Sequence, residues 1–415
     1  MRDRISPRSR IWHLPSPSDA PLAVALASPA GRTTAQGAHR LTPCLGAGST
    51  PLAAARRAHD EYCERWSGFH QPEDPELLAP FDAVADRAIA PNALRCLSRR
   101  QLADARRGVP AAEWGLDRTL PLAWTVATAL DAGPSALVPS HLVYFGYRPP
   151  RGVRVPRAAG RADSNGCAAG RSTADATRRA LLELVERDAV AQWWYHQAPR
   201  PEVPRAVWAD DRRSRLVEWL ARDGRDTWML DLTGDLGIPV VAAVSVRRQG
   251  TFPRVLLGFA ARLDRRTAAH RALDELLQEA MLVHAADRGL LTQPAADRRW
   301  LREGTLDAQP QLVPNPRQRR SRVRVRPSFD DAGAPRDAAD VAQLIERLTA
   351  ARLRAWMVDL TRADSSRRVV RVVVPGLRPW WPHFAPGRLF TAPVRAGWLR
   401  RARHELRLNA FGIWF

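Results

Sequence analysis

Ser164-Asn-Gly-Cys-Ala-Ala-Gly170-Arg-Ser-Thr-Ala-Asp-Ala-Thr-Arg-Arg-Ala-Leu-Leu-Glu183-Leu-Val-Glu186-Arg187 is the stretch on which the fold turns. It opens as a loop of small residues, Asp163 to Gly170, that lets backbone approach a ligand. Ser and Thr then offer a helix cap, and an Ala-rich body favours a helix. Positions i, i+3 and i+4 share one helical face, so Glu183, Glu186 and Arg187 cluster there. The same cadence occurs upstream. From Gly48, as from Gly170, the first Glu is thirteen residues on, the second sixteen and the Arg seventeen: Glu61, Glu64 and Arg65. A third segment, Arg262 to Glu279, keeps the pattern with Glu275 and Gln278. A solvated charged face is the ordinary fate of such residues. Surface ion pairs contribute too little to hold an identical triplet twice, so the repetition points to a site.

A second repeat bears on architecture. Trp228-Met-Leu-Asp231-Leu-Thr233 precedes the β-branched run Ile238 to Val246, and Trp356-Met-Val-Asp359-Leu-Thr361 precedes Val369 to Val374. Each follows a polar, Arg-rich helical pattern, Ser214 to Asp223 and Asp340 to Arg354. Such alternation predicts an α/β (α+β) protein with internal duplication and mixed sheets packed with helices. Residues 1–19 read as a flexible leader, Leu22 to Ala27 as a first strand, and 20–415 as one domain with an internal basic loop over 303–335.

The chain has 415 residues, 45% hydrophobic and 26% charged, ample for a large core. Its four cysteines, Cys44, Cys63, Cys96 and Cys167, form no C-x-x-C pair, which argues against a zinc ribbon, and the ten histidines form no H-E-x-x-H. There is no lysine, which excludes a Walker-A loop and a lysine Schiff base. The net charge of +21 would attract polyanions. The arginines 317, 319, 320, 322, 324 and 326 are its densest run, but no nucleic-acid motif accompanies them, so no nucleic-acid partner is expected. The apolar stretch after the N-terminal arginines is short and broken by prolines, and Leu120 to Pro139 is interrupted by Asp131, Gly133 and Pro134. The expectation is a cytoplasmic protein without membrane contact.

Paired carboxylates on repeated helices suit magnesium, which takes oxygen ligands and shares them with nucleotide phosphates. Arginines on the same faces can hold those phosphates directly. Together they would bind ATP without a phosphate loop.

These residues resemble a known family. Ser164 to Gly170 followed by Leu182-Glu183-Leu-Val-Glu186-Arg187-Asp188-Ala189 looks like the core signature of the YcaO family. Gly46-Ala-Gly48 with Glu61-Tyr-Cys-Glu64-Arg65-Trp-Ser-Gly68 is similar to its first block, Glu275-Leu-Leu-Gln278 to its third, and Val374-Pro375-Gly376 to its last strand and turn. The resemblance implies a YcaO-like fold around a Mg–ATP site, a homodimer, and ATP-dependent activation of a backbone amide in a ribosomally made precursor peptide. In azoline-forming cyclodehydration, a Cys, Ser or Thr side chain attacks the preceding carbonyl and ATP phosphorylates the hemiorthoamide oxygen. Related members make thioamides or amidines. The resemblance also implies that Glu61, Glu64, Glu183 and Glu186 hold Mg2+ and that Arg65, Arg187, Ser164, Asn165, Gln278 and Glu275 contact the nucleotide.

Some positions depart from that pattern. Ala47 stands where Lys is frequent, Asp175 where Glu is usual, and Ala280 where Arg is typical. The tail Leu408-Asn-Ala-Phe-Gly-Ile-Trp-Phe415 resembles a proline-rich ending with its prolines replaced; in azoline-forming members such an ending carries a terminal carboxylate into the site, here Phe415. These changes leave a degenerate peptide-binding scaffold as an alternative. A leader-recognition domain is not evident, so an E1-like partner protein is expected to capture the precursor. Trp193, Trp194 and Tyr195 read as buried packing, Trp380, Trp381 and His383 as packing or a peptide groove, and Asp231 and Asp359 as strand-end caps.

Overall fold

The computed structural model describes residues 9–14, 22–29, 44–107, 118–153, 155, 160–247, 255–287, 289, 300, 304–317 and 337–413. Three antiparallel sheets organise them. Strands β1 (Ser9–His13), β2 (Ala23–Pro29) and β3 (Cys44–Gly48) form the first, in that order. Strands β8 (Arg225–Asp231), β9 (Val240–Arg247) and β10 (Val255–Ala261) form another meander. Between them in sequence lie β4 (Leu77–Pro80), β5 (Pro121–Ala129), β6 (Ala136–Pro139) and β7 (Cys167–Gly170). With β11 (Trp356–Asp359) and β12 (Arg368–Val373) these make a six-stranded sheet ordered β4-β5-β11-β12-β7, β6 pairing with β5. The expected α+β architecture with internal duplication is observed. Every strand pair among the described residues is antiparallel.

Helices of eight residues or more are α1 (Pro51–Ser67), α2 (Arg99–Arg106), α3 (Thr173–His196), α4 (Asp211–Arg222), α5 (Arg265–Asp287), α6 (Asp337–Ala350) and α7 (Arg388–Arg395). Thr50 caps α1 and Ser172 caps α3, each accepting a hydrogen bond from the backbone N–H three residues on. The three carboxylate-bearing helices α1, α3 and α5 follow β3, β7 and β10, and each of those strands is the edge of its sheet. Glycine makes the close approach possible. A Cβ on Gly170 would stand 2.4 Å from the Ala176 nitrogen, and one on Gly258 2.3 Å from the Leu276 nitrogen.

The Trp-Met-x-Asp-Leu-Thr repeat is a duplicated hairpin, with Trp228 opposite Val244 in one sheet and Trp356 opposite Val373 in another. In both copies the Asp caps the strand end, Asp231 Oδ1 accepting from Thr233 N at 2.9 Å and Asp359 Oδ1 from Thr361 N at 2.8 Å. Trp193, Trp194 and Tyr195 are buried in the largest core cluster, which also takes up Leu408, Phe411 and Ile413 of the tail.

Two expectations for irregular segments meet ordered structure. Within 1–19, Ser9–His13 is a strand, held by backbone pairing to β2 although most of its side chains are exposed. Within 303–335, the part up to Arg317 packs inward: Leu312 is buried, and its carbonyl accepts from Trp228 Nε1 at 2.8 Å. Arginines 319 to 326 lie outside the described residues, as does Phe415. Among the described residues no helix is long and apolar enough to cross a membrane.

Candidate functional site

Glu61 and Glu64 of α1 and Glu183 of α3 line a cleft of about 290 Å3, together with Arg57, Asp60, Arg179 and residues Cys167 to Ala169 of β7. In each β–α unit the first Glu is fixed by backbone. Glu61 Oε2 accepts from Leu45 N at 2.9 Å, Glu183 Oε2 from Gly166 N at 3.1 Å, and Glu275 Oε2 from Phe259 N at 2.8 Å. One turn on, Arg65 Nη2 donates to Glu61 Oε1 at 3.3 Å and Arg187 Nη2 to Glu183 Oε1 at 2.9 Å. Glu186 Oε2 accepts from Ala261 N at 3.2 Å, which ties α3 to β10.

The carboxyls crowd one another in a poorly hydrated place. Burial pushes Glu64 well above the usual carboxylate range, and neighbouring Glu183 adds to the shift. Burial raises Glu61 against the pull of Arg65 and the Leu45 N–H, and raises Glu186 against Arg187. Glu275 is pushed up to about 8, first by burial and then by Glu186. Hard oxygen donors whose charge is held back in this way suit a divalent cation. Among the described residues no three acidic, His or Cys side chains converge as a ready-made cage, so Mg2+ here would share its ligands with phosphate oxygens.

Donors for phosphate are also present. Arg65 Nε, Arg187 Nε and Arg187 Nη1 are buried without a protein acceptor, while the Arg187 guanidinium stands 3.1 Å from the Trp380 ring centroid. Sequence reasoning missed a second set, Arg57, Arg179 and Arg271, one turn before Glu61, Glu183 and Glu275. Arg271 is lowered to about 10, first by burial and then by the nearby charges of Arg57 and Arg262, with a smaller contribution from Arg179 and Asp274 opposing. Arg262 is lowered by burial as well, opposed by Glu186. Like charges drawn together from three helices favour an anion between them. The signal was in the repeats, since each of these arginines stands nine residues after the start of its segment.

The remaining expected residues are dispersed. Gln278 is half-buried one turn beyond Glu275 on α5. Asn165 lines a different cavity, and its amide donates to Asp163 Oδ2 at 2.7 Å. The Ser164 carbonyl accepts from Cys167 N at 2.9 Å. Ala47 and Ala280 are both buried in the same apolar cluster, so neither contributes charge. Arg57 Nη1 donates to the Ala47 carbonyl at 2.6 Å and brings a cation to that strand. Asp175 is fully buried and accepts from the N–H of Arg171 at 3.0 Å.

Comparison with known proteins agrees with this geometry. The chain is 31% identical to a heterocyclase solved in complex with substrate and cofactor, with a TM-score of 0.85 over 98% of this chain and 54% of that one. It is 32% identical to the heterocyclase TruD, with a TM-score of 0.74 over 88% of this chain and 51% of that one. The chain therefore spans about half the length of these solved proteins. An uncharacterized protein of Methanothermobacter thermautotrophicus is 28% identical over 351 residues, 80% of each chain. The family model described as YcaO cyclodehydratase, ATP- and Mg2+-binding, matches residues 45–378, from β3 to the turn after β12, so that all three β–α units fall inside it. The chain belongs to the YcaO family, whose domain binds ATP and Mg2+.

Proposed function

We propose that this protein activates a backbone amide of a ribosomally synthesised precursor peptide at the expense of ATP, and that the reaction is azoline-forming cyclodehydration in peptide natural-product biosynthesis. The observation that carries this reading is the cleft in which carboxylates of repeated helices stand beside arginines drawn together from all three. In this reading Glu61, Glu64, Glu183 and Glu186 hold Mg2+. Arg65 and Arg187, with Arg57, Arg179 and Arg271, hold the phosphates; Ser164, Asn165, Glu275 and Gln278 flank the nucleotide. Bound Mg–ATP supplies an electrophilic phosphoryl group to the amide-derived oxygen.

The chain's own contribution is positioning and charge. Backbone N–H groups of Leu45, Gly166 and Phe259 fix one oxygen of each first Glu, which leaves little reorganisation for the reaction. Buried arginine donors without a protein acceptor await charge on the transferring phosphoryl group. Asn409 N donates to the Tyr195 carbonyl at 2.8 Å and Trp194 Nε1 to the Phe411 carbonyl at 2.6 Å, so the segment is held along α3 as far as Phe411.

A separate leader-binding partner of the E1-like type belongs to the proposal. All four cysteines are buried and none is joined in a disulfide, as suits a reducing, cytoplasmic setting, and a homodimer completes the proposal. Ala47 and Ala280, apolar and buried, favour one second reading, a peptide-binding scaffold without turnover. The test is incubation with ATP, Mg2+ and a Cys-, Ser- and Thr-bearing precursor encoded beside the gene. Phosphate release with loss of one water mass per ring supports the proposal. Replacement of oxygen by sulfur would mean thioamide formation, and peptide binding without phosphate release would mean the scaffold.

A further inference from the structure

Beside the carboxylate cleft lies a second cavity of about 280 Å3, lined by Arg161, Asp163, Asn165, Arg371 and Arg378 with an apolar wall that includes Leu184 and Leu377. Its electrostatics are one-sided. Among the described residues Asp163 is the only acid lining it, and that carboxylate is already committed: Oδ1 accepts from Asn165 N at 3.0 Å, and Oδ2 from Asn165 Nδ2 at 2.7 Å and Trp381 Nε1 at 2.8 Å. Arg371 is 2% exposed and spends Nη1 and Nη2 on the carbonyls of Asn165 and Asp163, while its Nε has no acceptor. Arg378 is 3% exposed. Its Nη2 donates to the Pro386 carbonyl at 2.7 Å, but Nε and Nη1 have no protein acceptor. Buried guanidinium donors are rarely left unfilled, and a carboxylate is their best-matched acceptor.

The cavity adjoins the cleft closely. Leu184 faces it while Glu183, the preceding residue, faces the cleft; Asn165 lines it while the next residue, Gly166, donates to Glu183. We infer that this second cavity binds a carboxylate of the peptide substrate, seated on Arg378 and Arg371 a short way along the chain from the amide being activated. The inference rests on the peptide-activating reading above. The carboxylate has two sources, an Asp or Glu side chain or the peptide's own C-terminus. The apolar wall packs against the atoms that carry it.

Ligand-observed NMR on the full chain tests this with three probes: N-acetyl-aspartate N-methylamide, N-acetyl-valine with a free carboxylate, and N-acetyl-asparagine N-methylamide. One or both carboxylate probes should bind about tenfold more tightly than the asparagine probe, and which one binds identifies the source. Arg378→Gln should weaken that binding about tenfold and leave Mg2+-dependent affinity for a non-hydrolysable ATP analogue unchanged. If that variant does not fold, Arg161→Gln at the exposed mouth should weaken it about threefold. Equal binding of the asparagine probe, or tighter binding of inorganic phosphate than of either carboxylate, overturns the assignment. So does loss of nucleotide affinity in folded Arg378→Gln, which would make the cavity part of the nucleotide site. Failure of the unaltered protein to bind the nucleotide would instead count against the ATP-dependent reading, and the carboxylate selectivity would stand or fall on its own.

Discussion

Glu64 of α1 and Glu183 of α3 face the same cleft, and after burial itself the Glu183 carboxylate is the strongest influence holding Glu64 above the usual carboxylate range. Two like charges from separate helices, placed together out of water, strain the ligand-free protein unless a proton or a cation intervenes. That relationship links stability, pH and ligand binding in this fold.

The first consequence concerns pH. Glu275 is pushed up to about 8 from its ordinary 4.5, so the folded protein holds a proton that the unfolded chain releases. Stability of the ligand-free protein therefore falls as pH rises from about 4.5 to about 8. Glu275→Gln keeps an acceptor for Phe259 N–H and removes the titration. The variant should be more stable than the parent at pH 8, by on the order of 1 kcal/mol or more, and its melting temperature should vary less between pH 5 and pH 8. Thermal melts across that range check both points.

The arginines one turn before the first glutamates should act on nucleotide affinity. Arg271→Gln should weaken binding of an ATP analogue about ten- to hundredfold, the value of a charge-assisted contact to phosphate. The melting temperature of the ligand-free protein should not fall, because the variant relieves repulsion with Arg57 and Arg262 while Asp274 keeps Arg57 and Arg212 within 4.0 Å. Calorimetric titration and a thermal melt on the same sample separate the two effects.

Asp188, one residue beyond Arg187, should serve stability. It is 2% exposed and accepts from Arg388 Nη2 at 2.7 Å and from the Arg378 backbone N–H at 3.0 Å. Asp188→Ala leaves Arg388 with Asp235 alone and should cost about 3–5 kcal/mol in denaturant unfolding, as removal of one partner from a buried pair does.

Strand-to-helix contact should be equally intolerant of change. Gly258→Ala would put its Cβ 2.3 Å from the Leu276 nitrogen, so α5 would have to move away from β10 and take Glu275 with it. A loss of about 1–3 kcal/mol and a weakened nucleotide titration are expected together. Gly234→Ala, where the new Cβ would come no closer than 3.8 Å to the Trp398 ring, makes a control that clashes with nothing.

Much of this was legible in the chain because periodicity survives burial. The Glu-x-x-Glu-Arg spacing is a statement about one helical face, and α1 and α3 present it as expected. Asp231 and Asp359 were readable as caps because an Asx turn is a local device. What escaped depended on convergence. The Arg57–Arg179–Arg271 set is invisible on any single helix, where each looks like a solvated arginine. Asn165 was readable as a small polar loop residue, but its partners were not: its amide donates to Asp163, and its backbone carbonyl accepts from Arg371, more than two hundred residues away. The strand Ser9–His13 has exposed side chains and no apolar face, so only its backbone pairing with β2 reveals it.

The most direct test of the central claim is calorimetric titration of the purified protein with a non-hydrolysable ATP analogue, with and without Mg2+, for the parent and for Glu183→Ala and Glu186→Ala. The account predicts binding that requires Mg2+ and is abolished in both variants. Binding that persists in both, or that is indifferent to Mg2+, would contradict the assignment of the repeated carboxylate helices as the nucleotide site.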